Sequence, residues 1–356
     1  MKHIARRRPP IAKDALYVSL ACRGRYATEA GAPPGPASGE GARPNTPQFG
    51  RTPSQSPYSG RVGLALPEES VLISDGGLAT ELEARGHDLS DPLWSAKLLA
   101  HAPQEIVAVH EAYFRAGAMI ATTASYQASF EGFAARGIDR SEAARLLRRS
   151  VELAKTARDQ AGAGDRCVAA SVGPYGAALA DGSEYRGRYG LSVAALTQWH
   201  RPRLEILAAA GADVLACETV PDVDEAEALI NLVRSIGVPA WLSYTVDGTR
   251  TRAGQPLADA FAVAAGVPEI VAVGVNCCAP GDVLPAIRIA DIGKPIIVYP
   301  NSGERWDDRR RAWVGPPSFS AQLASEWVAA GARIVGGCCR VGPAEIADVA
   351  RVLRRA

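Results

Sequence analysis

Four of the seven cysteines in this 356-residue chain lie in two adjacent pairs, Cys277-Cys278 and Cys338-Cys339. A single cysteine in an apolar segment is usually a small buried hydrophobe, but two doublets indicate a chemical role. Thiolates bind Zn²⁺ at about 2.3 Å, and three protein ligands leave a fourth position for a substrate. The doublets therefore favour a zinc site, with packing thiols and a redox pair as the alternatives.

Both doublets end short apolar segments in a regular alternation of predicted strands and helices. The predicted strands are residues 71–75, 118–124, 167–172, 214–218, 240–245, 270–277, 295–299 and 333–338. The clearest predicted helices are residues 141–161, 193–210, 223–236, 280–292, 318–330 and 343–354. Eight buried strands joined by helices predict an α/β fold of the (β/α)8 TIM barrel type. An open dinucleotide-binding sheet is disfavoured because no Gly-x-Gly-x-x-Gly turn follows the first strand.

A barrel of this kind carries its chemistry where the strands end. The eight predicted ends are Asp75-Gly76-Gly77, Thr122-Thr123, Gly173-Pro174, Glu218-Thr219, Tyr244-Thr245, Asn276-Cys277-Cys278, Asn301-Ser302-Gly303 and Cys338-Cys339, and all except Gly173-Pro174 carry polar or sulfur groups. The sixth and eighth strands are two apart around a barrel. Their ends are therefore close enough for the two doublets to converge on one ion.

Composition and charge exclude several classes of protein. Apolar residues make up 47% of the chain and charged residues 22%, which indicates a globular protein. The formal net charge of +1 gives no reason to expect nucleic acid or a membrane surface as partner. No run of about 18 apolar residues is present, and residues 1–24 lack the apolar stretch of a secretory signal. We expect a cytoplasmic protein whose cysteines stay thiols unless a metal binds them, and the sequence leaves the oligomeric state open.

Residues 1–69 differ in composition from the rest of the chain. They are rich in Arg, Pro, Gly, Ser and Ala and poor in large apolar side chains, which predicts a disordered low-complexity extension. Two interpretations of this extension stay open, a start-site artefact and a functional basic tail. We expect one barrel domain over residues 70–356.

Three motifs together resemble the homocysteine S-methyltransferase family. They are Asp75-Gly76-Gly77, Gly274-Val275-Asn276-Cys277 and Gly336-Gly337-Cys338-Cys339-Arg340. The resemblance runs from about residue 71 to residue 354. The stretch Tyr299-Pro300-Asn301-Ser302-Gly303-Glu304 and the lack of cobalamin or folate modules are similar to the compact enzymes that use S-methylmethionine, rather than to betaine enzymes or large methionine synthases.

The resemblance implies that the Zn²⁺ ligands are Cys277, Cys338 and Cys339. It carries over no role for Cys278, and side-chain alternation does not choose between Cys277 and Cys278. Zinc coordination removes the proton from a thiol whose ordinary pKa is about 8.5, so bound homocysteine would become a thiolate. That thiolate would attack the methyl carbon of a cationic sulfonium donor.

The resemblance also implies contacts to homocysteine. Asp75 and Glu218 would hold its amino group, and amides around Gly76 and Gly77 would receive its carboxylate. A turn residue and a helix-capping acid are the alternatives for Asp75 and Glu218.

The loop after the seventh strand offers further contacts. Asn301 and Ser302 would line the donor pocket or serve turn chemistry. Trp306 and Trp313 would face the sulfonium by cation–π contact or pack on the rim.

The predicted function is a zinc-dependent transfer of a methyl group from S-methylmethionine, or S-adenosylmethionine, to homocysteine, giving methionine. One alternative is an enzyme that uses betaine or another donor. The other is a non-catalytic zinc or thiol sensor, in which Cys278 closes a four-ligand site.

Overall fold

The computed structural model describes residues 70–89, 94–162, 164–307 and 312–354, and its central element is a parallel eight-stranded sheet. In chain order its strands, β1 to β8, are Leu72–Ile73, Ile120–Thr122, Cys167–Val172, Val214–Val220, Ala240–Tyr244, Ile270–Asn276, Ile296–Tyr299 and Ala332–Val335. Strands β2 to β8 each pair in parallel with the next, and β8 pairs with β1. A parallel bridge between Ser74 and Ile120 joins β1 to β2. The predicted (β/α)8 TIM barrel is confirmed.

Twelve α-helices lie in the described part of the chain. Helices α1 to α12 are Leu78–Ala84, Trp94–His101, Pro103–Ala116, Phe130–Ala134, Arg140–Gln160, Tyr175–Leu179, Val193–Ala209, Val223–Ile236, Leu257–Ala262, Val283–Ile289, Ala321–Ala329 and Pro343–Leu353. Helix α8 has the predicted bounds, α7 and α12 each end one residue earlier than predicted, and α5 begins and ends one residue earlier. Helix α11 begins three residues later than predicted because the Ser320 side chain caps it by accepting from the Leu323 amide.

The predicted helix over residues 280–292 is divided. A 3₁₀ turn occupies Pro280–Asp282, and α10 then runs over Val283–Ile289. Strands β1 and β8 are also shorter than predicted, so the residues that follow them form loops.

The sequence prediction omitted the smaller elements between the barrel units. These include a hairpin of Val246–Asp247 with Arg250–Thr251 and another of Arg305–Asp307 with Ala312–Val314. The first hairpin follows β5 and the second follows β7, so both extend loops at the C-terminal end of the barrel.

Two apolar cores hold the barrel. The inner core contains residues of the strand faces that point to the barrel axis, with Trp241 and Tyr299 as its largest members. The outer core lies between the sheet and the helices and is much larger. Near-complete burial on both faces explains the continuous apolar runs from which the strands were predicted.

The predicted extension over residues 1–69 lies outside the described residues, so it stays a prediction. Within the described ranges, no helix is both long enough and apolar enough to cross a membrane.

Candidate metal centre

Three cysteine sulfurs meet at the C-terminal end of the barrel. Cys277 directly follows β6, and Cys338 and Cys339 lie just beyond β8. Their Sγ atoms all lie within 4.8 Å of one another, and those of Cys338 and Cys339 are 3.9 Å apart. Among the described residues, no other group of three or more Cys, His, Asp or Glu side chains has metal-binding spacing. The ends of β6 and β8 therefore converge as predicted.

The spacing and the chemistry of these donors fit a zinc ion. Ligands at about 2.3 Å in a tetrahedron are about 3.8 Å from one another, close to the distance between the Cys338 and Cys339 sulfurs. Burial raises the pKa of Cys339 to about 11, so this thiol stays protonated at neutral pH without a metal. Three sulfur donors leave one position of a tetrahedron for a substrate.

The structure joins Cys277 and Cys338 in a disulfide, with Cα atoms 5.6 Å apart. The expectation of free thiols is wrong for this pair in this structure. The physical cause is simple, since sulfurs that converge on one point are also near enough to bond to each other. Zinc binds thiolates, so the disulfide and the three-sulfur metal site are alternative states of the same atoms. Reduction of the pair is therefore a condition of metal binding.

Cys278 belongs to the outer core and not to the sulfur cluster. Its side chain is fully buried among apolar residues, and that burial raises the pKa of its thiol well above the ordinary value. The neighbouring Cys277 has a φ of 48°, in the left-handed region, which interrupts strand alternation directly after β6. Of the two residues of this doublet, Cys277 therefore joins the sulfur cluster and Cys278 packs in the core.

Backbone hydrogen bonds hold the cysteine loops against the loop that follows β7. The amide of Cys277 donates to the Tyr299 carbonyl at 3.2 Å, and that of Cys338 donates to the Pro300 carbonyl at 2.7 Å. These main-chain contacts position the sulfurs without any contribution from a bound metal.

The glycines after β1 allow a close approach to the same loops. A Cβ on Gly76 would stand 2.2 Å from the Val341 carbonyl oxygen, and one on Gly77 would stand 2.7 Å from that of Cys338. The Gly77 amide donates to the Val341 carbonyl at 2.9 Å, whereas the Gly76 amide has no hydrogen bond among the described residues. Of the two amides predicted to receive a carboxylate, only that of Gly76 is available without breaking a bond.

Asp75 lies at the end of β1 and is 4% exposed. Its carboxylate accepts hydrogen bonds from the Thr122 amide at 2.6 Å and from the Thr122 hydroxyl at 2.8 Å. Burial raises the pKa of Asp75 to about 7, and the charge of Glu218 adds to the rise against the lowering effect of the Thr122 bonds. A buried carboxyl held in this way favours a cationic ligand.

Glu218 faces Asp75 across the mouth from β4 and is 6% exposed. Its carboxylate accepts hydrogen bonds from the Ser171 hydroxyl and, at 3.1 Å, from the Tyr299 hydroxyl. The Tyr299 oxygen in turn accepts from the Trp241 indole at 3.0 Å. Burial raises the pKa of Glu218 to about 7, while the two hydroxyl bonds lower it. The helix-capping alternative for Glu218 does not fit a side chain within β4.

The polar residue next to Glu218 makes a contact that the sequence did not indicate. Thr219 has a φ of 57°, and its amide donates to the Asn276 side chain at 2.7 Å. The Asn276 amide group donates back to the Thr219 hydroxyl at 2.7 Å. Asn276 thus connects the end of β4 to the residue before Cys277. Its place in a strand-end motif was visible in the sequence, but its partner was not.

Asn301 and Ser302 both make hydrogen bonds inside their own loop. The Asn301 side chain accepts from the Gly303 amide at 2.9 Å, and the Ser302 hydroxyl donates to Glu304 at 2.9 Å. These are the contacts of turn residues. The prediction that they line a donor pocket remains a prediction. The side chains of Trp306 and Trp313, predicted to face the sulfonium or to pack on the rim, lie outside the described part of the structure.

Comparisons with known proteins show which family the chain is similar to. Residues 72–353 match the family described as homocysteine S-methyltransferase. The homocysteine S-methyltransferase of Escherichia coli is 49% identical over 294 residues, covering 79% of this chain and 95% of that protein. The homocysteine S-methyltransferase YbgG of Bacillus subtilis is 45% identical over 295 residues, covering 79% of this chain and 93% of that protein.

Solved structures give the same result. The metallated form of the homocysteine methyltransferase MmuM from E. coli superposes with a TM-score of 0.72 and 47% identity, covering 80% of this chain and 96% of that one. Its oxidized form gives 0.71 and 48% identity over the same shares. On the match over residues 72–353 and the identity to these relatives, the chain belongs to the homocysteine S-methyltransferase family.

Proposed function

We propose that this chain is a zinc-dependent enzyme that transfers a methyl group from S-methylmethionine, or S-adenosylmethionine, to homocysteine and forms methionine. The observation that carries the proposal is the cluster of Cys277, Cys338 and Cys339 sulfurs at the barrel mouth, beside two buried carboxyl groups. The relatives named homocysteine S-methyltransferase and the metallated form of the E. coli protein support it.

Cys277, Cys338 and Cys339 would hold the Zn²⁺ ion. When bound, the ion supplies a deprotonated and oriented homocysteine sulfur at neutral pH. The chain's own contribution is to hold the three sulfurs in place through backbone bonds to the loop after β7.

Asp75 and Glu218 would bind the ammonium group of homocysteine. Each is buried, each has a raised pKa, and each is fixed by hydrogen bonds to its neighbours. Two buried carboxyl groups that face each other repel when both ionise, and a cation between them relieves that repulsion. The Gly76 amide is the available donor for the carboxylate of the same amino acid.

The methyl transfer balances in charge and electrons. A lone pair of the homocysteine sulfur forms the new S–C bond while the S–C bond of the donor breaks. The electron pair of that bond stays on the donor sulfur, which becomes a neutral thioether. Opposite charges disappear in this step, so a mouth with little water favours it.

The structure bears differently on the two alternative functions. A zinc sensor with four cysteine ligands is disfavoured because Cys278 lies in the outer core. A betaine enzyme keeps the same sulfur cluster and differs only in how the donor is held, so the donor must be tested directly.

The test is methionine formation by reduced, zinc-loaded protein from homocysteine with S-methylmethionine, S-adenosylmethionine and betaine in parallel. We expect product with the sulfonium donors and a second methionine per turnover with S-methylmethionine. No product with any donor, in protein that retains zinc, would contradict the proposal and favour the sensor.

The proposed chemistry also bears on location and on domain organisation. Zinc binding needs reduced cysteines, so we place the protein in the cytoplasm. We assign the activity to one domain that begins near residue 70, since the family match and the first strand both begin at residue 72.

A further inference from the structure

The loop after β7 lies between the two segments that carry the cysteine sulfurs. Strand β7 pairs with β6 on one side and with β8 on the other. On the β6 side, the Asn301 amide donates to the Cys278 carbonyl at 3.0 Å. On the β8 side, the Ser302 amide donates to the Cys339 carbonyl at 3.0 Å. The loop after β7 is therefore bonded to both segments of the sulfur cluster.

A second contact between this loop and the segment after β8 involves side chains. The Nε atom of Arg340, the residue directly after Cys339, donates to Oε2 of Glu304 at 2.5 Å. The same carboxylate oxygen accepts from the Ser302 hydroxyl at 2.9 Å. Glu304 thus joins Arg340 to Ser302, whose amide already bonds to Cys339. We call Ser302, Glu304 and Arg340 together the Glu304 clamp.

Both ends of the Glu304 clamp are anchored in the barrel. Ser302 is 3% exposed, and its carbonyl accepts from the amides of Ser318 at 2.7 Å and Phe319 at 3.0 Å. The Arg340 amide donates to the hydroxyl of Thr80 on α1 at 2.8 Å. The clamp therefore connects two segments that each have a further attachment of their own.

The backbone of Arg340 has a conformation that needs support from its surroundings. Its φ is 62°, in the left-handed region, which residues other than glycine rarely adopt. A residue keeps such a conformation where the contacts around it hold it there. Arg340 is held through its amide by Thr80 and through its side chain by Glu304. These two contacts therefore fix the course of the chain directly after Cys339.

The ion pair in the clamp has a local effect and a small global one. The side chain of Arg340 is 42% exposed and that of Glu304 is 13% exposed. Ion pairs in contact with water contribute little to the free energy of unfolding. Metal ligands that are held in place before the metal binds lose less conformational freedom on binding. The ion pair should therefore affect metal affinity more than it affects the stability of the barrel.

We propose that Glu304 and Arg340 are positioning residues of the metal centre, which hold the Cys338-Cys339 segment in the geometry that binds Zn²⁺. This inference rests on the zinc site of the proposed function. It adds two residues that act on the site through the chain and not as ligands. Loss of a group that orients a metal ligand typically lowers metal affinity ten- to a hundred-fold.

The test measures the zinc affinity of reduced protein by competition with a chromophoric zinc chelator. Glu304→Gln removes a negative charge, and Arg340→Met removes a positive one. If the residues acted by charge alone, the first variant would bind Zn²⁺ more weakly and the second more tightly. We expect both variants to bind zinc about ten-fold more weakly than the wild type, because each breaks the same ion pair.

Three further measurements separate positioning from other effects. The double variant should bind zinc as weakly as either single variant, because its second change removes a partner whose bond is already lost. At saturating Co²⁺ each variant should show the absorption bands of the wild type, because the three sulfur ligands are unchanged. The midpoint of urea unfolding of reduced, metal-free protein should also be that of the wild type.

Matched controls come from an ion pair on α12. Arg351 and Asp348 form it with Nη2 and Oδ1 2.6 Å apart, and both side chains are exposed. Asp348→Asn and Arg351→Met remove the same two charges as the test variants. Both controls should match the wild type in every measurement.

The outcomes separate this inference from the proposed function. Opposite changes in zinc affinity would give the two residues an electrostatic role and overturn the inference. Unchanged affinity in either single variant, additive losses in the double variant, altered cobalt bands or a parallel fall in the urea midpoint would also overturn it. In all these cases the wild type binds zinc, so the proposed function stands. A reduced wild type that binds no zinc overturns the proposed function, and this inference with it.

Discussion

At the scale of single residues, the site combines three sulfurs with two carboxyl groups, and these groups have little structural role of their own. The sulfurs converge within 4.8 Å, and both Asp75 and Glu218 are buried with raised pKa values. Neither feature stabilises an empty protein, because burying ionisable groups costs free energy. Both are explained if a metal and an amino acid occupy the mouth.

The first prediction concerns the metal ligands. Cys277→Ala, Cys338→Ala and Cys339→Ala should each release most of the zinc from reduced protein and abolish turnover, because two thiolates do not hold a catalytic zinc ion. Cys278→Ala should retain zinc and lose only stability, by about 1 kcal/mol for the lost core contact. Zinc content by elemental analysis, with urea unfolding beside it, measures both. Loss of zinc in Cys278→Ala with retention in Cys277→Ala would reverse the assignment.

The second prediction concerns substrate affinity. Glu218→Gln keeps the shape of the side chain and removes its charge, so it should lower kcat/KM for homocysteine roughly ten- to a hundred-fold, as expected for about 1.5–3 kcal/mol of a charge-assisted bond. Zinc content and KM for the donor should stay nearly unchanged. Steady-state kinetics with each substrate varied in turn gives the result. An effect confined to KM for the donor would move Glu218 to the donor pocket.

The third prediction follows from the raised pKa of Glu218. Its pKa rises from 4.5 to about 7 on folding, so native protein holds a proton that the unfolded chain loses above about pH 4.5. The stabilising effect of that proton is complete below pH 4.5 and is lost as pH rises through 7. Relative to Glu218→Gln, the free energy of unfolding of reduced, metal-free wild type should therefore fall by about 2 to 3 kcal/mol from pH 5 to pH 8. Urea unfolding across this range tests it, and a pH-independent difference would show an ordinary carboxyl group.

At the scale of elements, a buried chain of hydrogen bonds connects the loop after β3 to helices α7 and α8. Arg203 on α7 is 2% exposed, donates to the Gly173 carbonyl, and donates to Nδ1 of His200 at 3.0 Å. Burial, with the charge of Arg203, lowers the pKa of His200 well below its ordinary value, so the ring is neutral and its Nε2 donates to Glu225 on α8 at 2.8 Å. Glu225 accepts the Tyr175 amide at 2.5 Å. Two helices thus hold both sides of the turn from β3 into α6.

The fourth prediction tests this chain of hydrogen bonds. Arg203→Met should lower the free energy of unfolding by roughly 3–5 kcal/mol, because it leaves Glu225 buried without a compensating charge. Adding Glu225→Gln removes that charge, so the double variant should lose less than the sum of the two single variants. Arg201→Met, an exposed position on the same helix, is the control and should change stability by less than about 0.5 kcal/mol. Additive losses in urea unfolding would show that the two groups act independently.

At the scale of the whole molecule, the family match, the first strand and the first site residue all begin within a few positions of residue 72. The polar and sulfur groups of the site come from strands at both ends of the described chain, since β8 pairs with β1. The site therefore exists only when the barrel closes, and its described residues lie between Asp75 and Cys339.

The fifth prediction follows from that observation. A chain that begins at Leu66 should fold, bind one zinc ion and keep kcat/KM for homocysteine within about two-fold of the full chain, because residues 1–69 have the composition of a segment without a packed core. Zinc content, thermal unfolding and kinetics compare the two proteins. A loss of zinc or activity on truncation would show that the extension contributes to the site.

The sequence by itself determined the barrel and the order of its eight strands, although β1 and β8 end earlier than predicted. Eight apolar runs buried on both faces, separated by helical segments, permit few other folds, and in a parallel barrel the C-terminal strand ends must share one mouth. That rule alone predicts that Asp75, Glu218 and the cysteine doublets lie at the same end of the molecule. Local pattern sufficed because each strand and helix is specified by neighbouring residues.

Only the tertiary structure decided which groups come together at the mouth of the barrel. Cys277, the residue directly after β6, has a left-handed backbone conformation, and it joins the cluster for that reason while Cys278 does not. The alternation of apolar residues along the strand does not encode this change in chain direction. The hydrogen bond from Tyr299 to Glu218 joins residues 81 positions apart, and it exists only because the strands that carry them meet across the barrel axis. Contacts of this kind depend on closure of the sheet, so no local pattern in the sequence could have given them.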